Sequence, residues 1–63
     1  MEQQVTVNFD LSDEHAWALA QFVKRLGYSD CRQLAVDDEE ARQMIDATEV
    51  MRRALAEVGY APR

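Results

Sequence analysis

The sequence has one cysteine, one histidine, one proline and two glycines among its 63 residues. Because Cys31 has no second cysteine to pair with, an internal disulfide is excluded. One cysteine and one histidine are too few for a structural zinc site, which takes four ligands, and no carboxylates stand at a spacing that would complete one. We therefore expect no metal and no cofactor. A lone reduced thiol is typical of the cytoplasm.

Long apolar runs are also missing. A membrane-spanning helix needs about 20 consecutive apolar residues, and no segment of this chain approaches that length. Positions 1 to 11 alternate apolar and polar residues, which is not the pattern of a secretory signal peptide. We expect a cytoplasmic protein with no membrane partner.

Basic residues are scarce relative to acidic ones. Seven Lys and Arg stand against twelve Asp and Glu, which gives a formal net charge of −5. Proteins that bind nucleic acid need Lys and Arg to neutralise phosphates. The charge therefore opposes direct binding of nucleic acid, and we expect none.

The length predicts one small domain over residues 1–63. A chain of about 60 residues buries only about 60% of its unfolded surface. Such chains usually depend on a disulfide, a metal or a second subunit. Since the first two are excluded, a second copy of the chain remains, and we expect a homodimer.

The N-terminal segment has the period of a half-buried β-strand. Val5, Val7 and Phe9 fall on one side of it. Three polar residues form the other side: Gln4, Thr6 and Asn8. No second strand pattern follows, so we expect this strand to pair with the same strand of a second copy.

The rest of the chain predicts helices. Ser12 is the expected N-cap of a first helix. Asp37 is the expected N-cap of a long last helix, with Glu40 completing an Asp-x-x-Glu capping box. A short helical turn lies between them. Gly27-Tyr28 and Gly59-Tyr60 predict a Schellman-type end for both long helices. The fold class is then α+β, mostly helical, in the order β-α-α-α. The apolar stripes predict six core residues: Leu19, Val23, Leu26, Ile45, Met51 and Leu55.

His15 and Cys31 are the only residues that favour nucleophilic catalysis, which would need them side by side with a third orienting group. No glycine-rich elbow or oxyanion-forming loop accompanies them. A histidine at a helix start and a small semi-buried thiol explain them better. We expect no catalytic residue and no enzyme.

Trp17 has two interpretations. It falls off the apolar stripe of the first helix, with Gln21 and Lys24 on its own side. Either the short helix or a second subunit covers it as core, or it contacts a partner protein, as exposed tryptophans often do.

The run from Asp37 to Glu40 is the densest charge in the chain. Its simplest explanation is capping and complement of the helix dipole. The functional hypothesis is that carboxylates gathered at one end of a small fold imitate the phosphates of a nucleic acid and occupy a basic surface on a protein partner. The candidate contact residues, with Trp17, are Asp10, Asp13, Glu14, Asp30, Asp37, Asp38, Glu39 and Glu40.

The order strand (Val5-Thr6-Val7), helix, helix resembles that of ribbon-helix-helix proteins, whose strands pair across a dimer. This resemblance implies a dimeric DNA-binding regulator or antitoxin that reads DNA with Gln4, Thr6 and Asn8, residue types that contact base edges. The sequence departs from that pattern in its acidic charge and in the turn inserted at residues 29–36.

The segments LSDEHAWALAQFVKRLGYSD, DDEEA and ALAEVGYAPR are similar to small uncharacterised proteins of proteobacterial phages and prophages. Small acidic phage proteins include anti-CRISPR inhibitors, several of which resemble DNA in charge. This resemblance implies a non-enzymatic inhibitor that blocks the basic nucleic-acid-binding surface of a defence complex in the cytoplasm of a bacterial host. It assigns no catalytic residue.

Overall fold

The computed structural model describes residues 3–62 and contains three helices: α1 (Asp13–Arg25), α2 (Tyr28–Leu34) and α3 (Asp38–Glu57). Both α1 and α2 pack against α3. Tyr60, just after α3, hydrogen-bonds to Asp13 in the first turn of α1, so α1 and α3 run antiparallel. None of the helices in the described range combines the length and the apolar character that crossing a bilayer requires.

The predicted N-terminal β-strand is wrong. Residues 3–11, here called the arm, have no regular secondary structure, and no residue between 3 and 62 lies in a strand. Val5, Val7 and Phe9 are 80%, 70% and 60% exposed. Alternation alone does not make a strand, because a strand also needs a neighbour for its backbone groups. The fold class is therefore all-α and not the α+β order β-α-α-α.

The core is thin and built mainly from small residues. Six apolar residues are buried in the described part: Ala16, Ala20, Val23, Cys31, Ala41 and Leu55. Of the six residues predicted as core, Val23 and Leu55 are buried. Leu19, Leu26 and Ile45 are half-buried, and Met51 is 37% exposed. Alanines occupy the positions where the helices meet, so the larger side chains lie at the edges of the contact.

Both predicted N-caps are confirmed. The Ser12 hydroxyl accepts a hydrogen bond from the His15 backbone N–H at 3.1 Å, and the Asp37 carboxylate accepts one from the Glu40 N–H at 2.9 Å. The capping box differs from the expected one, because Glu40 accepts from the Val36 N–H at 2.9 Å. These bonds satisfy backbone donors that have no partner inside a helix.

The two Gly-Tyr pairs adopt different conformations. Gly59 has φ +102°, and the N–H groups of Tyr60 and Gly59 donate to the carbonyls of Leu55 and Ala56 at 2.9 and 3.0 Å. This is the predicted Schellman ending. The same prediction is wrong at Gly27, which has φ −119°. Because α2 begins at the very next residue, Gly27 is its N-cap, and its N–H donates to Asp30.

A pair of glycine-to-alanine variants tests this difference. Gly59→Ala places a side chain in the left-handed region and is expected to lower the free energy of unfolding by about 1–2 kcal/mol. Gly27→Ala needs no left-handed backbone, and its Cβ meets nothing closer than an Asp30 carboxylate oxygen at 3.7 Å. Alanine lowers the conformational entropy of the unfolded chain, and this stabilisation roughly offsets the weaker N-cap. We therefore expect the free energy of unfolding to change by no more than about 0.5 kcal/mol. Chemical denaturation followed by circular dichroism measures both, and equal losses would contradict the assignment.

Candidate protein-binding surface

The four carboxylates at the start of α3 all have structural partners. Asp37 caps the helix, and Glu40 accepts from the Val36 N–H. Asp38 lies 2.6 Å from Arg32 and accepts from the Tyr28 hydroxyl at 3.4 Å. Glu39 lies 2.9 Å from Arg42, and this hydrogen bond raises the pKa of the Arg42 guanidinium. Capping and local ion pairing therefore account for this run of charge, although Asp38 and Glu39 stay exposed.

The other predicted acidic contact residues lie elsewhere. Asp30 accepts from the Gly27 N–H at the start of α2. Asp13 accepts from the Tyr60 hydroxyl at 2.7 Å, next to the C-terminal end of α3. A helix of 20 residues is about 30 Å long. Asp13 and Asp37 are therefore separated by about the length of α3, and the structure does not gather the predicted carboxylates at one end.

Some exposed carboxylates have neither a hydrogen bond nor an ion pair among residues 3–62. They are Asp10, Glu14, Asp46 and Glu57. The first two were predicted as contact residues from the sequence, and the last two were missed. A turn of 100° per residue places Asp46 and Glu57 on the same side of α3 as Glu39, so helical periodicity alone could have identified them.

Trp17 is part of a small cluster that joins α1 to the end of α3. Its ring centre lies 4.9 Å from that of Tyr60, at an interplanar angle of 67°, an edge-to-face contact. Trp17 is still 41% exposed, and α2 does not cover it. Glu14 lies three positions before it, hence on a neighbouring part of the same helix surface. An aromatic ring that is held in place and half open beside an unpaired carboxylate suits a contact with another protein.

The alternative DNA-reading residues lie on the arm. Gln4, Thr6 and Asn8 are exposed and belong to no strand. The ordered face that a ribbon-helix-helix protein inserts into DNA is therefore missing from this part of the chain.

His15 and Cys31 are positioned very differently. His15 is exposed in the first turn of α1, whereas Cys31 on α2 is only 2% exposed. A thiol buried in this way is not open to a substrate. No three His, Cys, Asp or Glu side chains within residues 3–62 are grouped so that they could hold a metal ion.

An apolar groove lies between the arm and the C-terminal half of α3. It encloses about 690 Å³. From α3 and its C-cap it is lined by the core residue Leu55 and by five further residues, here called the α3 seam: Ala47, Val50, Met51, Ala54 and Val58. The arm lines it with Val5, Val7, Phe9 and Leu11, each at least 40% exposed. Val50 and Val58 are 60% and 70% exposed, so the groove is open to water.

The bond between Tyr60 and Asp13 predicts a dependence of stability on alkaline pH. Donation to the Asp13 carboxylate raises the pKa of the Tyr60 hydroxyl above its ordinary value. Because the folded-state pKa is raised, the protonated Tyr60 hydroxyl stabilises the fold fully below pH about 10. This stabilisation is lost as the pH rises through the folded-state pKa. Tyr60→Phe should therefore be less stable than the wild type at pH about 8, and the difference should shrink by pH about 11. Urea denaturation at both pH values measures it. A difference that does not change would show that the hydrogen bond is absent in solution.

The family model described as "Family of unknown function (DUF7706)" matches residues 1–63. Neither the curated proteins nor the solved structures contain a match to the chain. That description names no activity, partner or site. Because the match extends over the whole chain, the protein belongs to the family of unknown function DUF7706.

Proposed function

We propose that the protein is a non-enzymatic, acidic interaction protein that binds a basic surface on another protein and blocks that surface from nucleic acid. The proposal rests on one observation. Every carboxylate among residues 3–62 is exposed except the half-buried Glu40, and only Asp38, Glu39 and Glu49 are in ion pairs within that range. Exposed charge without a counter-ion attracts basic surfaces and repels phosphate.

The carboxylates have two different tasks in this proposal. Asp30 and Asp37 hold the starts of α2 and α3, so their charge is fixed in position by the fold. Glu14, Asp46 and Glu57 have no described structural task, so they are free to contact a partner. We place the centre of the contact at the start of α1, where Trp17 offers an apolar anchor beside Asp13 and Glu14.

The partner class follows from the charge and from the resemblance to phage proteins. A host defence protein that binds nucleic acid carries the basic surface that this chain would cover, in the cytoplasm of a bacterial host. The mechanism is competition, without chemistry. The ribbon-helix-helix alternative is not carried forward, because its DNA-reading face depends on a strand and the described residues contain none.

The test is the release of labelled duplex DNA from host proteins that were purified by their affinity for heparin. Wild-type protein should release the DNA in low salt and lose this effect as salt screens the charges. The double variant Asp10→Asn and Glu14→Gln removes two charges around the start of α1 and no described hydrogen bond or ion pair. At about 0.5 kcal/mol per exposed charge pair, its affinity should fall roughly fivefold.

The control is Arg53→Gln, which replaces an exposed α3 side chain and breaks no described hydrogen bond or ion pair. It makes the net charge more negative, so it should release DNA at least as well as the wild type. The proposal would be overturned if the double variant were as active as the wild type. A shift of DNA mobility by the protein alone would also overturn it.

A further inference from the structure

The groove is lined by a second apolar stripe on α3, distinct from the one that forms the core. The core stripe consists of Ala41, Thr48 and Leu55. The α3 seam, at positions i, i+3, i+4, i+7 and i+11 from Ala47, lies about 100° away around the helix. Spacing of this kind is typical of a helix that packs against two neighbours. On the seam side, the described residues that line the groove from outside α3 and its C-cap are those of the arm, with Ala16 of α1 and Tyr60.

The molecule exposes more surface than a folded monomer of its mass. Its accessible surface is 5465 Å². The size scaling of folded monomers gives about 4,100 Å² for a chain of this mass, an excess of about 1,300 Å². A standard protein interface covers about 800 Å² on each partner. One contact of ordinary size over the groove would therefore remove most of the excess.

Several properties of the groove favour a second copy of the same chain as its occupant. Because the core of one chain is thin, burying the apolar groove would stabilise the folded chain. A second copy of the chain is always present at the same concentration to do so. The seam contains no charged residue. Two chains of net charge −5 can thus meet there without placing like charges in the centre of the contact. Ala47 and Ala54 are small enough to let two helices approach to about 8–10 Å.

We propose that the protein is a homodimer in which the α3 seams of two copies pack against each other about a twofold axis, flanked by their arms. A twofold contact uses the same patch on both copies, and the α3 seam provides one apolar patch on each copy. Neither the acidic start of α3 nor Trp17 lines the groove itself, although Tyr60, the ring partner of Trp17, does. This inference does not depend on the proposed function, since it concerns the purified chain alone.

Sedimentation equilibrium of the purified protein at micromolar concentrations is the test. The wild type should have twice the chain mass of 7.2 kDa. Val50→Glu puts a charge at the centre of the seam, on a side chain that is 60% exposed in the single chain. It should shift the mass to that of a monomer and raise the dissociation constant at least tenfold, while circular dichroism stays helical. Ala54→Glu provides a second seam variant in case the first one fails to fold.

The control is Ala56→Glu, which adds the same charge to an exposed position on the side of α3 opposite the seam and outside the groove. It should remain a dimer. A monomeric wild type at high micromolar concentration would overturn the proposal and leave the groove to a different protein. Seam variants that stay dimeric as fully as Ala56→Glu would also overturn it, because the contact would then lie on another face.

Discussion

The close packing of α1 and α2 on α3 depends on small side chains. Ala16 and Ala20 on α1, and Ala41 on α3, are almost completely buried, and their size brings the helix axes together. Alanine contributes much less to burial than leucine or phenylalanine does, so close packing limits the stabilisation that the core can provide. Larger apolar side chains therefore stay exposed on the arm, on the α3 seam and around Trp17, and also at Phe22, Leu34 and Val36. This distribution is the physical basis of both proposals, because a chain with so thin a core leaves its larger apolar groups available to a partner.

The parts of the fold that follow from local chemistry could be predicted from the sequence. Ser12 and Asp37 cap the helices that they were expected to cap, and Gly59 ends α3 as predicted, because each depends on a few neighbouring residues. The arm was predicted wrongly, because a strand exists only with a neighbour, and alternation at Val5, Val7 and Phe9 carries no information about one. Gly27 shows the same limit on a smaller scale. Its conformation is decided by the start of α2 and not by the end of α1.

The candidate site could be predicted only in part. Residue type alone identified Asp10, Asp13, Glu14 and Trp17, which the structure places around the start of α1. Sequence reasoning could not distinguish carboxylates with a structural task from those without one, because that depends on which groups meet in three dimensions. Arg32, for example, reaches Asp38 from a different helix. Helical periodicity places Asp46 and Glu57 on one side of α3, but only the three-dimensional structure shows that they have no described partner.

In the proposed dimer, a second copy buries apolar surface that one chain leaves exposed. The thermal unfolding midpoint should then depend on protein concentration, since association of folded chains stabilises them by mass action. We expect the midpoint to rise steadily as the concentration of the wild-type chain is increased over about two orders of magnitude. A midpoint that stays constant over that range would show that the thin core of one chain is sufficient and that the dimer does not form.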